Sequence, residues 1–103
     1  MSGASIVEVI AERHFEAEDE AGLRREVVLR IGKPVHDPKE GGDWSCPYQI
    51  VGLWDDRVSA AYGVDPVQAL LLSLQKAGLE LNYYRTAQKG KLTWLGEEDL
   101  GLL

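Results

Sequence analysis

The sequence predicts an α+β protein, a two-layer sandwich in which one long helix packs on one face of an antiparallel sheet of about four strands. Three observations support this fold class. Apolar and polar residues alternate in two N-terminal segments, a third alternating segment follows a loop rich in proline and glycine, and a helical pattern with its own start signal comes last. Because the strands precede the helix, we expect two hairpins and then the helix, rather than a parallel α/β sheet.

The first two alternating segments predict a β-hairpin. Apolar residues recur at every second position in residues 6–15, and the same repeat returns in residues 23–31. The polar positions of the first segment are mostly acidic and include His14, whereas those of the second carry arginines. Cross-strand pairs of opposite charge are therefore expected to help fix the register. Arg13 breaks the pattern, because it stands at an apolar position.

The segment DWSCPYQIVGLW, residues 43–54, predicts a strand of unusual composition, since it holds the only cysteine, two of the three tryptophans and a proline. Pro47 lacks an amide hydrogen, so we expect it at the start of a strand or on an unpaired edge, not in a central rung. A tight turn at residues 55–57 and a short strand at residues 58–63 complete a second hairpin. Residues 32–43, with two prolines and three glycines, are predicted to form a loop.

The segment GVDPVQALLLSLQ, which begins at residue 63, carries the clearest signal in the chain, a helix start. Asp65 is expected to cap the helix, with Pro66 at its first position and Gln68 completing a capping box. The helix is expected to continue to about Arg85, with Gly78 allowing a close approach to the sheet; an end at Gly78 is the alternative. Apolar residues at three- and four-residue steps predict a buried stripe formed by Val67, Leu70, Leu71, Leu74, Gly78 and Leu81.

The C-terminal segment KLTWLGEEDLGLL, residues 91–103, is too apolar to remain in water, and we expect it to dock on the body of the protein. A chain of 103 residues without internal repeats is expected to form a single α+β domain, residues 1–103. One cysteine cannot form an internal disulfide, the longest apolar run is too short to cross a bilayer, and the N-terminus lacks a signal-peptide pattern. These features predict a cytoplasmic protein that does not bind membranes.

The net charge of −6 makes nucleic-acid binding unlikely, because a field of that sign repels phosphate backbones. One basic patch with aromatic neighbours is the exception, and it comprises Arg85, Lys89, Lys91 and Trp94. Weak binding of single-stranded nucleic acid is one interpretation of this patch. The other is a solvated helix end, where cations interact favourably with the helix dipole.

The sequence contains no catalytic constellation. Cys46 is the candidate nucleophile of a thiol-dependent enzyme, with His36 as its base, but its neighbours in the sequence are not those that lower a thiol pKa. The alternative is a buried thiol that fills space in the sheet. His14, His36, Asp37 and Cys46 lack the close spacing of zinc ligands, so we expect no metal and no cofactor.

The second hairpin is apolar at both sets of alternating positions, which leaves more apolar surface than one helix can cover. Surplus apolar surface on a small domain usually marks a contact site. Trp44, Tyr48 and Trp54 are therefore expected to bind a protein partner or a second copy of the chain. The favoured function is a non-enzymatic interaction or regulatory module, and in one version its acidic surface neutralises a basic partner. The alternatives are a small-molecule binder, a thiol-dependent enzyme or a nucleic-acid binder.

The same central region resembles a family of short, uncharacterised bacterial proteins. The shared pattern is W-x-C-x-Y-Q-I-x-G followed by G-V-D-x-x-Q-A-L, and the later LTWLG and DLG elements fit it as well. The residues that carry it are Trp44, Cys46, Tyr48, Gln49, Ile50, Gly52, Gly63, Val64, Asp65, Gln68, Ala69 and Leu70. The resemblance implies a bacterial, cytoplasmic, single-domain protein. It implies no activity, so no catalytic role is carried over from it.

Overall fold

The computed structural model describes residues 5–37, 43–88 and 90–102. The elements are β1 (Val9–Glu18), β2 (Arg24–Gly32), β3 (Val35–Asp37), β4 (Asp43–Val51), β5 (Val58–Gly63), α1 (Pro66–Gln88) and β6 (Lys91–Thr93). The six strands form one antiparallel sheet, and α1 packs on one face of it. The predicted α+β class is therefore confirmed, as are the two hairpins, β1–β2 and β4–β5. The predicted number of strands is wrong.

The two additional strands come from segments that are too short to show an alternating pattern. β3 lies inside the segment predicted to be a loop, and β6 begins the C-terminal segment; each has three residues. β3 continues the line of β2 along the same edge of β4. Ile31 pairs with Tyr48 whereas Val35 pairs with Ser45, which is an offset of one residue. The rest of the predicted loop, residues 38–42, lies outside the described residues.

Pro47 lies in the interior of β4, which corrects the prediction that it would begin a strand or occupy an unpaired edge. On one side it pairs with Ala60 of β5. On the other side, the pairing with β2 stops at Tyr48 and the pairing with β3 resumes at Ser45, so Pro47 falls in the interruption. A proline at this position removes no hydrogen bond from the pairing with β2 or β3, which is why β4 tolerates it.

The first hairpin pairs opposite charges across its solvent-exposed face, as predicted. Arg30 Nε lies 3.4 Å from Glu12 Oε2. His14 lies in the same exposed row, with its Nδ1 atom 2.8 Å from Glu26 Oε2. These contacts help to fix the register of β1 on β2, although exposed ion pairs contribute little free energy.

The start of α1 has the predicted cap. Asp65 Oδ1 accepts a hydrogen bond of 2.7 Å from the N–H of Gln68, whose own side chain accepts one of 2.7 Å from the N–H of Val64. The helix runs through Gly78 and continues to Gln88, so the early end at Gly78 does not occur. Within the described residues, no helix combines the length and the apolar content needed to span a membrane.

The face of α1 that meets the sheet matches the predicted stripe only in part, since Leu70, Leu74, Gly78 and Leu81 lie on the core side. Its most deeply buried residues are Ala69, Ser73, Ala77, Leu81 and Tyr84. By contrast, Val67 and Leu71 of the predicted stripe are more than half exposed. Small residues on the sheet side let the helix backbone approach closely, while large side chains of the sheet fill the layer between them. A Cβ atom added to Gly63 would lie only 2.6 Å from the amide nitrogen of Ala69, which shows how close this approach is.

The C-terminal segment docks on the body of the protein, where two arginines hold its backbone. Arg13 Nη1 donates a hydrogen bond of 2.9 Å to the carbonyl of Leu100, and the guanidinium lies 3.8 Å from the centre of the Trp94 ring. Arg85 donates to the carbonyl of Glu98 at 2.6 Å. The position of Arg13 at an otherwise apolar place in β1 is thereby explained, because its side chain supports this segment.

Candidate functional site

A cleft of about 520 Å³ opens between the second half of α1 and the turn that joins β4 to β5. Its apolar surface comes from Ile50 on the sheet, Trp54 in the turn, and Leu79 and Tyr83 on the helix. The Trp54 ring is held in an edge-to-face contact with the buried Tyr84, with 5.4 Å between the ring centres. The volume lies within the range of about 300–1,000 Å³ that is typical of ligand-binding pockets.

Tyr48 and Glu80 form the polar floor of the cleft. Tyr48 is almost fully buried, but its hydroxyl donates a hydrogen bond to the Glu80 carboxylate. Burial, this hydrogen bond and the charge of Glu80 raise the pKa of Tyr48 well above its ordinary value, while Ser59 and Arg57 act in the opposite direction. Tyr48 therefore stays protonated at neutral pH and keeps its role as a hydrogen-bond donor.

Two cations, Arg57 from the turn and Lys76 from the helix, also line the cleft. In the described part of the chain neither forms an ion pair, since all the ion pairs there lie on the first hairpin. Lys76 Nζ donates to the carbonyl of Ala60 at 3.0 Å. The Arg57 guanidinium has no hydrogen-bond partner among the described residues, whereas every other arginine there contacts an oxygen atom of the protein.

The outer face of α1 beside the cleft is apolar and exposed. Leu72, Leu79 and Tyr83 are seven and four residues apart, a spacing that places them on the same side of a helix. Trp54 extends this surface, with its ring centre 6.3 Å from that of Tyr83. We call these four residues the apolar ridge. Leu79 is 63% exposed and Tyr83 66%, and a contiguous group of such side chains typically marks a contact site.

The three aromatic residues predicted to bind a partner do not share one surface. Tyr48 is buried beneath α1, and only its hydroxyl reaches the cleft. Trp44 is half-buried near the other end of β4, where its ring packs against that of His36 with 5.0 Å between the ring centres. Trp54 is exposed and lies beyond the end of β4. Alternation does place Trp44 and Tyr48 on one face of β4, but α1 covers that face.

Sequence reasoning missed Arg57, Lys76, Leu79 and Tyr83. The signal that could have identified the two helix residues Leu79 and Tyr83 is the apolar content of α1. This helix has large aliphatic residues on more sides than a single sheet face can cover. Once the sheet side of the helix is assigned to Ala69, Ser73, Ala77, Leu81 and Tyr84, Leu79 and Tyr83 must lie elsewhere. Arg57 carries no signal of its own in the sequence, since it stands in a turn of three charged residues.

Cys46 and His36 are not arranged as a catalytic pair. The Cys46 side chain is fully buried, and its Sγ atom lies 3.4 Å from the carbonyl oxygen of Gly32, to which it donates. Burial raises the pKa of the Cys46 thiol, and the nearby Ser73 hydroxyl offsets only part of that rise, through a contact that falls short of hydrogen-bond geometry. His36 is exposed on β3 and has no hydrogen bond to Cys46 among the described residues. A reactive thiol needs the opposite environment, with access and a lowered pKa.

The basic patch is largely engaged within the protein. Arg85 donates to backbone carbonyls and to Asn82, and Trp94 is half-buried beneath Arg13. Lys91 is exposed on β6, and Lys89 lies outside the described residues. Residues 5–37, 43–88 and 90–102 contain no group of three or more His, Cys, Asp or Glu residues arranged to hold a metal ion.

These features define a small α+β protein with one helix on one face of an antiparallel sheet and an amphipathic cleft where that layer stays open. The chain belongs to the family described as Domain of unknown function (DUF6968), whose profile matches residues 11–103. The expected membership of an uncharacterised family is therefore confirmed. No curated protein and no solved structure matches the chain. The family description names no activity, so the function has to be argued from the geometry.

Proposed function

We propose that this protein is a non-enzymatic interaction module that binds another protein through the apolar ridge and the cleft beside it. The observation that carries the proposal is the ridge, in which three helix residues on one side of α1 and Trp54, next to Tyr83, expose large apolar side chains. Aromatic side chains such as Trp54 and Tyr83 supply large contact areas and are enriched among the residues that dominate binding energy. A bacterial and cytoplasmic setting, implied by the resemblance and by the single cysteine, is part of the proposal.

The distribution of charge favours a different protein over a second copy of this chain. A symmetric dimer formed through the ridge would bring the same surface of both copies together. The cations Arg57 and Lys76 of both copies would then share one contact region, and like charges that meet there at the twofold axis are unfavourable. A partner that presents carboxylates to the cleft meets no such repulsion.

Part of the acidic surface that suggested a basic partner lies on the first hairpin rather than on the ridge. Most of the acidic residues of the N-terminal half belong to the first hairpin and its turn, residues 8–26. Several of them already face arginines or His14 across the hairpin. We therefore place the contact surface on the ridge, and we propose a partner segment that is apolar and acidic rather than basic.

Site-specific photo-crosslinking tests the proposal. A benzoylphenylalanine residue at position 79, on the ridge, is compared with one at position 23, because Leu23 is similarly exposed on the hairpin turn at 71% against 63%. In cells that make the protein, position 79 is expected to give a discrete adduct that position 23 does not give. An adduct of twice the mass of the chain would instead establish self-association.

Binding of the captured protein is then measured with purified components. Leu79→Ser and Tyr83→Ser are each expected to weaken binding by about tenfold or more, as substitutions at interface centres do. Leu23→Ser is the matched control and is expected to leave both binding and stability unchanged. Equal capture from positions 79 and 23, or binding that ignores both ridge substitutions, would overturn the proposal.

A further inference from the structure

We infer that the cleft is a carboxylate-binding site that anchors the partner through an acidic side chain or a C-terminus. In this arrangement the charged group lies between Arg57 and Lys76, and the apolar group attached to it packs against Trp54, Leu79 and Tyr83. The identity of the occupant rests on the proposed function. The chemistry of the site rests on the cleft alone, and it is tested without a protein partner.

The first argument is the balance of charge at the polar floor. Two cations, Arg57 and Lys76, line the cleft together with two carboxylates, and each carboxylate already accepts a hydrogen bond. Glu80 accepts one from Tyr48, and Asp55 Oδ1 accepts one of 3.1 Å from the backbone N–H of Arg57. The charges of the lining therefore balance, on a protein whose net charge is −6.

The second argument is the number of unused donors. A guanidinium carries five N–H groups in a planar fork that matches the two oxygens of a carboxylate. The Arg57 guanidinium donates to no group in the described part of the chain, and the Ser59 hydroxyl lies in the same cleft. Lys76 donates one of its three N–H groups to the carbonyl of Ala60, which leaves two for a ligand.

The third argument is the surroundings of these donors. Ile50, Leu79 and Trp54 give the cleft an apolar lining, which shields part of a bound group from water. Charge–charge attraction is stronger in such a site than in bulk water. The same lining selects a ligand that carries an aromatic or aliphatic group beside its charge.

The charge of the floor also distinguishes a carboxylate from a phosphate. A carboxylate adds only one negative charge to a lining whose own charges balance. A phosphate monoester carries about −1.5 to −2 charges at pH 7, and it would meet Glu80 and Asp55 at close range. We therefore assign the site to carboxylates.

Titration with a small acid tests the inference on the isolated protein. The probe is N-acetyl-phenylalanine, which carries a carboxylate beside an aromatic group, and the matched control is its neutral amide. Binding is followed by the ¹H–¹⁵N NMR signal of the Trp54 indole, assigned by its loss in Trp54→Phe. The acid is expected to bind with a roughly millimolar dissociation constant, in line with the affinity of ligands of this size. The amide is expected to bind at least about tenfold more weakly, because it lacks the charged hydrogen bonds.

Charge-neutral variants locate the site. Arg57→Gln and Lys76→Gln are each expected to weaken binding of the acid by about tenfold. Arg24→Gln removes an exposed cation from the first hairpin and serves as the control, with unchanged binding expected. Equal binding of acid and amide, no response of Trp54 to either, or equal losses in all three variants would each overturn the inference.

The result separates this inference from the proposed function. If the acid binds as expected but no protein depends on Leu79 or Tyr83, the cleft is a carboxylate site for a small molecule and the interaction module fails. If a partner depends on the ridge but the acid and the amide bind alike, the module stands and the carboxylate assignment fails.

Discussion

Strand β4 has a tryptophan near each end, and the two ends are built differently. At the Trp44 end the helix lies against the sheet, since Gly63 pairs with Trp44 and leaves no room for a Cβ atom beneath Ala69. At the other end the chain turns away at Trp54, and the space between α1 and the sheet remains open as the cleft. The first end is closed by small residues, and the second is bordered by large ones.

Under the proposed function, one layer of helix on sheet provides stability at one end of β4 and a binding site at the other. The residues at the closed end, Ala69, Ser73 and Ala77, present little side chain to the sheet, so the helix can approach it. At the open end, polar groups on Tyr48 and Glu80 occupy the layer, and apolar residues such as Leu79 remain on the outside. Substitutions at the closed end should therefore alter stability, and those at the open end should alter binding.

The largest effect is expected from Gly63→Ala at the closed end. The added Cβ atom would lie 2.6 Å from the amide nitrogen of Ala69 and 2.9 Å from Cβ of Gln68, and a backbone atom cannot move aside cheaply. We expect a loss of about 2–3 kcal/mol in the free energy of unfolding, typical of overpacking in a tight core. Urea denaturation followed by circular dichroism measures it.

Gly22→Ala is the control for this substitution. A Cβ atom at Gly22 would meet nothing within 4 Å, so only the positive φ of +86° opposes it. Its expected cost is about 1 kcal/mol. A Gly63→Ala variant no less stable than Gly22→Ala would show that the helix and the sheet are not in close contact at this end.

The second prediction compares the two tryptophans directly. Trp44→Ala is expected to lower the free energy of unfolding by about 2–3 kcal/mol, because its half-buried ring packs against the core. Trp54→Ala is expected to cost only about 0.5–1.5 kcal/mol, the value of its aromatic contacts with Tyr83 and Tyr84.

The effects of the two substitutions on ligand binding should have the opposite order to their effects on stability. Trp54→Ala is expected to weaken binding of N-acetyl-phenylalanine, whereas Trp44→Ala is expected to leave it unchanged in the folded protein. NMR titration monitors the Arg57 amide in both variants, since neither substitution removes that signal. Equal effects of the two variants on stability and on binding would remove the distinction between the two ends.

Patterns of local periodicity predicted the fold class, and they failed where contacts are set by distant residues. The cap at Asp65 and the β1–β2 hairpin follow from neighbours in the sequence, and both are present. β6 depends on a partner far along the chain, β1, whereas β3 pairs with the strand that follows it; in both, three residues are too few for a repeat to appear. The interior position of Pro47 could not be predicted either, because it depends on where β2 gives way to β3.

The candidate site was harder to predict, because it depends on which side of α1 meets the sheet. Large aliphatic residues were assigned to the buried stripe, as they are in most amphipathic helices. This helix is apolar on several sides, and the sheet side was decided by the close approach that Ala69 and Ala77 permit. As a result Trp54 was predicted to be a contact residue from the composition of its segment alone, while Leu79 was not included in that prediction.

The third prediction concerns Tyr48, at the boundary between the two ends. Tyr48→Phe removes the hydrogen bond to Glu80 and is expected to lower the free energy of unfolding by about 1 kcal/mol. The pKa of Tyr48 is raised in the folded protein above its ordinary value of 10.0, mainly by burial. The resulting stabilisation is fully present below about pH 10, the ordinary pKa of tyrosine. It is lost as the pH rises further, because the Tyr48 phenol ionises in the unfolded chain before it ionises in the folded protein.

Denaturation at neutral and at alkaline pH measures this effect. The wild-type protein is expected to be more stable than Tyr48→Phe at neutral pH, and this difference in the free energy of unfolding is expected to shrink above about pH 10. An advantage that grows with pH would mean that the phenol ionises readily in the folded state, and that the floor of the cleft is more open to water than the contact with Glu80 implies.

The smallest effect is expected on the exposed face of the first hairpin, which belongs to neither end of β4 and gives a baseline. The hydrogen bond to Glu26 is the main cause that raises the pKa of His14 above 6.5, with Glu12 adding to it. A raised pKa in the folded state stabilises the protein below the unfolded pKa, and this contribution is lost as the pH rises through the folded value. The free energy of unfolding of the wild-type protein should therefore exceed that of His14→Gln by more at about pH 5.5 than at about pH 8.5.

Urea midpoints of both proteins at the two pH values measure the difference, and Glu26→Gln provides the second arm of a double-mutant cycle. In the Glu26→Gln background, the pH-dependent part of the His14 effect should become much smaller, since Glu26 is its main cause. Because the His14–Glu26 pair is exposed, its contribution to the free energy of unfolding must be smaller than the effects of substituting Gly63 or Trp44. A His14 effect as large as theirs would mean that the stability of this protein is not concentrated where the helix meets the sheet, and the contrast between the two ends of β4 would lose its energetic basis.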